Sequence, residues 1–139
     1  MRRGMAVAAL VAFGAGMVAL SAAARAQPGH RPVRIGLGGG DFDACQVYAE
    51  VRGLNPRGDN FLSVRAAPSA GARELGRLGP GQRIWMCEIE TVPGWTGIVY
   101  GPGGSQMCNV GSPVPRPRAY RGSCRSGWVS SRYIRAIAG

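Results

Sequence analysis

The sequence predicts an all-β fold, and two observations lead to that prediction. Beyond the N-terminal stretch that ends at Ala26, the chain consists of short apolar runs of β-type residues that are separated by glycine and proline. It also contains four cysteines, all of them beyond that N-terminal stretch, which indicate disulfides in a small loop-rich domain. Since only the N-terminal stretch has the pattern of a helix, we expect a small β-sandwich or β-barrel.

The N-terminal stretch has the three parts of a secretory signal peptide. Arg2 and Arg3 precede a run of apolar and glycine residues from Met5 to Leu20, and the small-residue site Ala24-Arg25-Ala26 follows. A membrane-spanning helix needs roughly 20 apolar residues, so we favour a cleaved signal peptide, residues 1–26, over an uncleaved anchor. No later apolar run is long enough to span a membrane. The expected location is therefore the periplasm or the secreted medium, with no transmembrane segment after cleavage.

The remainder of the chain divides into a leader and one domain. Residues 27–43 are rich in glycine and proline and are predicted to be a flexible leader. Residues 44–139 are predicted to form the domain, with Ile84 and Met86 on one face of their strand and Trp85 on the other face with Cys87. Residues 101–126 form a long insert between the predicted strands at residues 95–100 and 127–129. The predicted strands are residues 44–51, 61–65, 74–78, 82–88, 95–100, 127–129 and 133–137.

Four cysteines allow three disulfide pairings. We favour Cys45–Cys87, because both residues lie in strand-like runs, and Cys108–Cys124, because these two bracket a single loop rich in proline and arginine. The other two pairings remain open. A metal site is not expected, because the sequence has no C-x-x-C motif and its one histidine, His30, lies in the leader. We expect no cofactor.

All 17 basic residues are arginine. Without Arg2, Arg3 and Arg25, 14 arginines face seven acidic residues, which gives a net charge of +7 after cleavage. This charge favours anionic partners, and the basic stretch at residues 116–121 is a candidate contact. The alternative is a solvated basic surface without a cognate anion. Genomic nucleic acid is not an expected partner of an exported protein.

Four motifs, in order, resemble the bacterial SH3-like (SH3b) domain. Residues 61–69 (FLSVRAAPS) are similar to its opening L-N-V-R-x-G-P-S, and residues 74–84 (ELGRLGPGQRI) to its next segment. Gly94-Trp95 matches its central G-W, and residues 127–134 (GWVSSRYI) match its closing G-W-V-x-x-x-Y-L. Ser63 and Ala67 depart from the usual Asn and Gly. The resemblance implies a small SH3-like β-barrel, here with an extra N-terminal strand and a disulfide-stapled loop insertion.

The same resemblance implies a non-catalytic binding module that recognises cell-wall peptide, glycan or an envelope protein. The candidate ligand contacts are aromatic side chains and arginines near the loop of residues 65–71. The alternative is that the aromatic residues belong to the core. These candidates are Arg65, Trp95, Tyr100, Trp128, Arg132 and Tyr133.

Two other functions remain as alternatives. One is binding of lipopolysaccharide or another polyanion through arginine, and the other is regulation or inhibition of an envelope enzyme. Catalysis is not expected, because the sequence contains no hydrolase or metalloprotease motif. Glu88 and Glu90 are two residues apart on a strand-like run and are interpreted as solvated charges.

Overall fold

Residues 29–102 and 107–139 are described by the structure, a computed structural model. The predicted signal peptide and residues 27–28 of the predicted leader lie outside this part of the chain. No helix among the described residues is long and apolar enough to cross a membrane.

β-Strands form nearly all of the regular structure, as the sequence predicts. A 3-10 turn at Ser131–Tyr133 accompanies them, and the described part of the chain contains no α-helix. The observed β4 and β6 have the predicted bounds, whereas β5 extends four residues beyond the predicted end at residue 88. The strands are β1 (Arg34–Ile35), β2 (Val47–Val51), β3 (Leu62–Arg65), β4 (Glu74–Leu78), β5 (Arg83–Val92), β6 (Trp95–Tyr100), β7 (Arg118–Ala119), β8 (Arg125–Ser130) and β9 (Ile134–Ala138).

Seven of these strands form one antiparallel sheet in the order β4-β3-β8-β6-β5-β2-β9, and β1 pairs with β7 in a separate two-stranded ribbon. The two edge strands of the main sheet, β4 and β9, are not hydrogen-bonded to each other, so the sheet is open. Both edges nevertheless contribute to one apolar cluster through Leu78 and Ile134. The sheet must therefore curve around that cluster.

We call this cluster the sheet core, because nearly all of its members lie on one face of the main sheet. Its buried residues are Ala49, Val51, Leu62, Val64, Leu78, Ile84, Ile98, Tyr100 and Val129. Leu62 and Val64 lie in it together. Alternation along β3 explains this placement, since every second side chain of a strand points to the same side.

The opposite face of the sheet carries a second cluster, the insert core. It joins Trp128 and Val99 of the sheet to residues of the N-terminal segment and of the long insert. The predicted alternation along β5 is confirmed, because Ile84 and Met86 pack in the sheet core whereas Trp85 and Cys87 pack in the insert core. The other buried members of the insert core are Val33, Ile35, Ala44, Cys45, Cys108, Val110 and Val114.

Both favoured disulfides are present. Cys45–Cys87 ties the segment before β2 to β5, and Cys108–Cys124 closes the insert. All four cysteines belong to the insert core or pack against it. The disulfides therefore reinforce the cluster that is assembled from segments far apart in the sequence.

The prediction of a flexible leader is wrong for residues 33–35. Val33 and Ile35 are buried in the insert core, and β1 pairs with β7 inside the insert that the sequence predicts as a loop. A few apolar residues in a glycine- and proline-rich stretch give a weak local signal. Their burial depends on an insert that lies in the last third of the chain.

We expect the Cys108→Ser/Cys124→Ser variant to unfold with a free energy about 3 kcal/mol lower than the native chain, because a cross-link around a loop of this size restricts the unfolded state by about that amount. Urea denaturation followed by near-ultraviolet circular dichroism measures the difference. An unchanged urea midpoint would contradict the assigned role of this disulfide.

Candidate functional site

A mainly apolar cavity lies at the hairpin that joins β5 to β6. Pro93 and Gly94 form the two-residue turn of this hairpin, with Val92 opposite Trp95. Gly94 has a φ of 78°, a conformation that glycine adopts without steric cost, and the fixed φ of proline suits the position before it. The Pro-Gly pair thus sets the direction of the two strands that border the cavity.

We call this cavity the hairpin groove. Its volume is about 480 Å³, and its walls are mainly apolar. Polar contacts fix its shape: the hydroxyls of Thr96 and Ser131 are 2.8 Å apart, and the Ser131 amide donates a hydrogen bond to the Gly94 carbonyl at 2.9 Å. Side chains that line the groove include Met86, Ile89, Val92, Trp95, Ser131 and Ile134.

The strand that borders the hairpin groove is irregular. The β5–β6 pairing shifts register between Glu88 and Val92, and Glu90 within this stretch has a φ of 57°. A residue other than glycine in this left-handed region carries a conformational cost of about 1–2 kcal/mol. Bulges of this kind redirect side chains and are over-represented next to functional sites. Glu90 lines the groove and supplies an acidic side chain to it.

A second cavity of about 420 Å³ lies on the other side of the 3-10 turn, and we call it the turn groove. Arg132 and Tyr133 line it together, with the Arg132 guanidinium carbon 5.7 Å from the centroid of the Tyr133 ring. Asp59 and Phe61 complete its polar and apolar walls. Because Ser131 lines the hairpin groove, one three-residue turn separates the two cavities.

Three of the six residues that the sequence proposes as ligand contacts therefore line one of these two grooves. Trp95 lines the hairpin groove, and Arg132 and Tyr133 line the turn groove. The other three lie elsewhere, two of them in the core and one in contact with a loop.

Trp128 and Tyr100 are core residues, so their prediction as ligand contacts is wrong. Trp128 is 0 % exposed; its indole Nε1 donates a hydrogen bond to the Arg31 carbonyl at 2.8 Å, and the Arg31 guanidinium carbon lies 4.8 Å from the ring centroid. Tyr100 is 6 % exposed. Burial raises the pKa of the Tyr100 hydroxyl, and Arg125 partly opposes this shift. Neither side chain presents a face to a ligand.

Arg65 is engaged in holding a loop. Its Nη1 donates a hydrogen bond to the Ala72 carbonyl at 2.9 Å, and its Cα pairs with that of Glu74 across β3 and β4. The arginine thus fixes the turn that follows the opening motif. It lines neither of the two grooves.

The sequence interpretation missed the role of Glu88, which is 1 % exposed. Its carboxylate accepts hydrogen bonds from the Arg31 guanidinium at 2.9 Å, from the Arg34 amide at 3.0 Å and from the Thr91 hydroxyl at 3.3 Å. Glu88 is thus a buried anchor for the N-terminal strap, residues 31–35. Its interpretation as a solvated charge is wrong.

Gly97 is the sequence signal that points to this anchor. It lies inside β6 opposite Glu88, and a Cβ atom there would come within 2.9 Å of Glu88 Cβ and 3.1 Å of Val33 Cγ1. A glycine in the middle of a strand often marks a place where another segment approaches the backbone closely. Here the approaching segment is the strap.

No group of three or more His, Cys, Asp or Glu side chains suited to a metal ion occurs within residues 29–102 and 107–139. No protein-family model matches the chain, and no curated protein or solved structure is significantly similar to it.

We expect Glu88→Ala to lower the free energy of unfolding by about 2 to 4 kcal/mol, because it leaves Arg31 and the Arg34 amide without their buried acceptor. The strap should then detach, and the indole N–H of Trp128 should exchange with solvent faster. Urea denaturation and hydrogen exchange followed by NMR measure the two effects.

Glu74→Ala is the matched control for this variant. Glu74 also lies on a strand and pairs with an arginine, Arg77, but the pair is exposed. We expect a smaller loss of stability and an unchanged exchange rate at Trp128. Equal effects of the two substitutions would show that Glu88 does not anchor the strap.

Proposed function

We propose that the protein is an exported, non-catalytic binding module with an SH3-like fold, and that it holds a cell-wall peptide or glycan in the hairpin groove. The observation that carries this proposal is the groove itself. Its half-open apolar walls, an aromatic residue and a few fixed polar groups are the usual composition of a ligand site. The turn groove extends the same surface with Arg132 and Tyr133.

Several features support the SH3-like part of the proposal. The four motifs of the sequence lie on β3, β4, β5, β6 and β8, and on the turn that leads to β9. All of these strands belong to one antiparallel sheet, which curves around the sheet core. The N-terminal strap and the insert lie on the other face, outside the segments that carry the motifs.

Export is supported by the signal-like N-terminus and by the two disulfides. Disulfides persist in oxidising compartments such as the periplasm and the extracellular medium. The bridges span sequence separations of 42 and 16 residues, and small domains commonly depend on such cross-links for stability. A peptide or glycan of the envelope would then be within reach of the protein.

A binding role is also supported by the bonds that the reactive side chains make within the protein. All four cysteines are disulfide-bonded, so none provides a thiolate nucleophile. Glu88 is committed to the strap, and Glu90 is the acidic side chain that remains in the hairpin groove. Glu90 could accept hydrogen bonds from the amides or hydroxyls of a ligand.

We expect Ile89→Ser to weaken binding of the oxidised protein to soluble peptidoglycan fragments at least tenfold, because Ile89 forms part of the apolar wall of the groove. Isothermal titration calorimetry at low and high salt measures the affinity. Binding through the groove should persist at high salt, whereas nonspecific attraction to arginine should be lost.

Ile137→Ser is the matched control. Ile137 is 40 % exposed and Ile89 37 % exposed, but Ile137 lies on the edge strand β9 and does not line the groove. We expect this variant to bind within twofold of the native protein. Equal losses in both variants, or no binding of the fragments at either salt concentration, would overturn the proposal.

A further inference from the structure

A third cavity, of about 390 Å³, lies on the loop closed by Cys108–Cys124, where β7 of this loop pairs with β1, and we call it the insert cleft. It shares no lining residue with the hairpin groove or the turn groove. The insert cleft is therefore separate from the surface of the proposed function. Its lining includes Ile35, Cys108, Asn109, Arg118, Tyr120 and Arg121.

Tyr120 fixes the floor of the insert cleft. Its hydroxyl donates a hydrogen bond to the Cys108 carbonyl at 3.3 Å and accepts one from the Cys124 amide at 3.1 Å, so one side chain bridges both ends of the disulfide loop. Its own amide donates to the Val33 carbonyl at 2.8 Å. These three hydrogen bonds therefore fix the position of Tyr120 in the cleft and connect the cleft to the insert core.

Two exposed arginines, Arg118 and Arg121, line this cleft. In the part of the chain that the structure describes, the ion pairs join Arg31, Arg52 and Arg77 to glutamates, and neither cleft arginine takes part in one. Residues 101–126 contain four arginines and no acidic residue. Asp43, whose backbone pairs with Pro113 of the insert, does not line the cleft.

We propose that the insert cleft binds a phosphorylated sugar. Arginine guanidinium groups recognise phosphate through paired, charge-assisted hydrogen bonds, and two of them suit a phosphate monoester with its charge of up to −2. A cleft of this volume lies in the range of small-molecule sites. The half-buried ring of Tyr120 offers an apolar surface to the sugar, while the exposed Asn109 offers hydrogen bonds to its hydroxyls.

The test uses the oxidised protein and glucose 1-phosphate as the probe, with glucose and inorganic phosphate as reference ligands. Isothermal titration calorimetry compares the native chain with the Arg118→Gln/Arg121→Gln variant. We expect the double substitution to raise the Kd for glucose 1-phosphate at least tenfold. Near-ultraviolet circular dichroism should be unchanged, because both side chains are exposed.

The matched control is Arg57→Gln/Arg135→Gln, which removes the same charge from two exposed arginines outside the cleft. We expect its Kd to stay within twofold of the native value. An equal loss of affinity in both double variants would show that binding depends on net charge alone, and would overturn the proposed site. The proposal also fails if glucose 1-phosphate does not bind, or if it binds no more tightly than inorganic phosphate.

The probe can also distinguish a soluble ligand from a membrane-linked one. Vesicles that carry a phosphorylated glycolipid are compared with vesicles of an uncharged lipid, using the same two double variants. Retention on the glycolipid vesicles that depends on Arg118 and Arg121 would assign the sugar phosphate to a membrane surface. Binding of free glucose 1-phosphate without such retention would assign it to a soluble source, and either result supports the cleft as the site.

Discussion

The buried carboxylate of Glu88 is the contact on which the arrangement of this domain depends. It accepts hydrogen bonds from the side chain of Arg31 and from the backbone of Arg34, and so it fixes the strap across the sheet. The strap in turn covers Trp128 and provides β1, the strand with which the insert pairs. An unpaired charge at this depth would be costly, so the carboxylate and the strap require each other.

The sheet separates two cores of different origin. The sheet core is built from strands of the main sheet, and the alternation of side chains along each strand directs its residues to one face. The insert core collects residues from the strap, the sheet and the insert, whose ordering has a large entropic cost. Both disulfides act on this second core, where constraining the unfolded chain contributes most to stability.

This division separates the candidate sites as well. The hairpin groove and the turn groove flank the 3-10 turn after β8, and side chains of the sheet core line both of them. The insert cleft lies on the opposite face of the sheet, beside the insert core, and carries arginines in a segment that contains no acidic residue. The two faces of the sheet therefore carry an apolar surface and a cationic surface at the same time, and no residue lines both.

The sequence by itself determined the all-β class and the strands at residues 74–78 and 95–100, because alternation and turn residues are local signals. It favoured the disulfide pairing that the structure shows but left the two other pairings open. It also proposed Trp95, Arg132 and Tyr133 as ligand contacts, and these residues line the two grooves beside the 3-10 turn. Only the tertiary structure decided that Trp128 and Tyr100 are core and that Glu88 is buried. The reason is physical: the burial of these residues depends on the strap and on neighbouring strands that are distant in sequence. Local hydrophobic patterns do not report such contacts, although a glycine inside a strand, such as Gly97, marks a close approach of another segment.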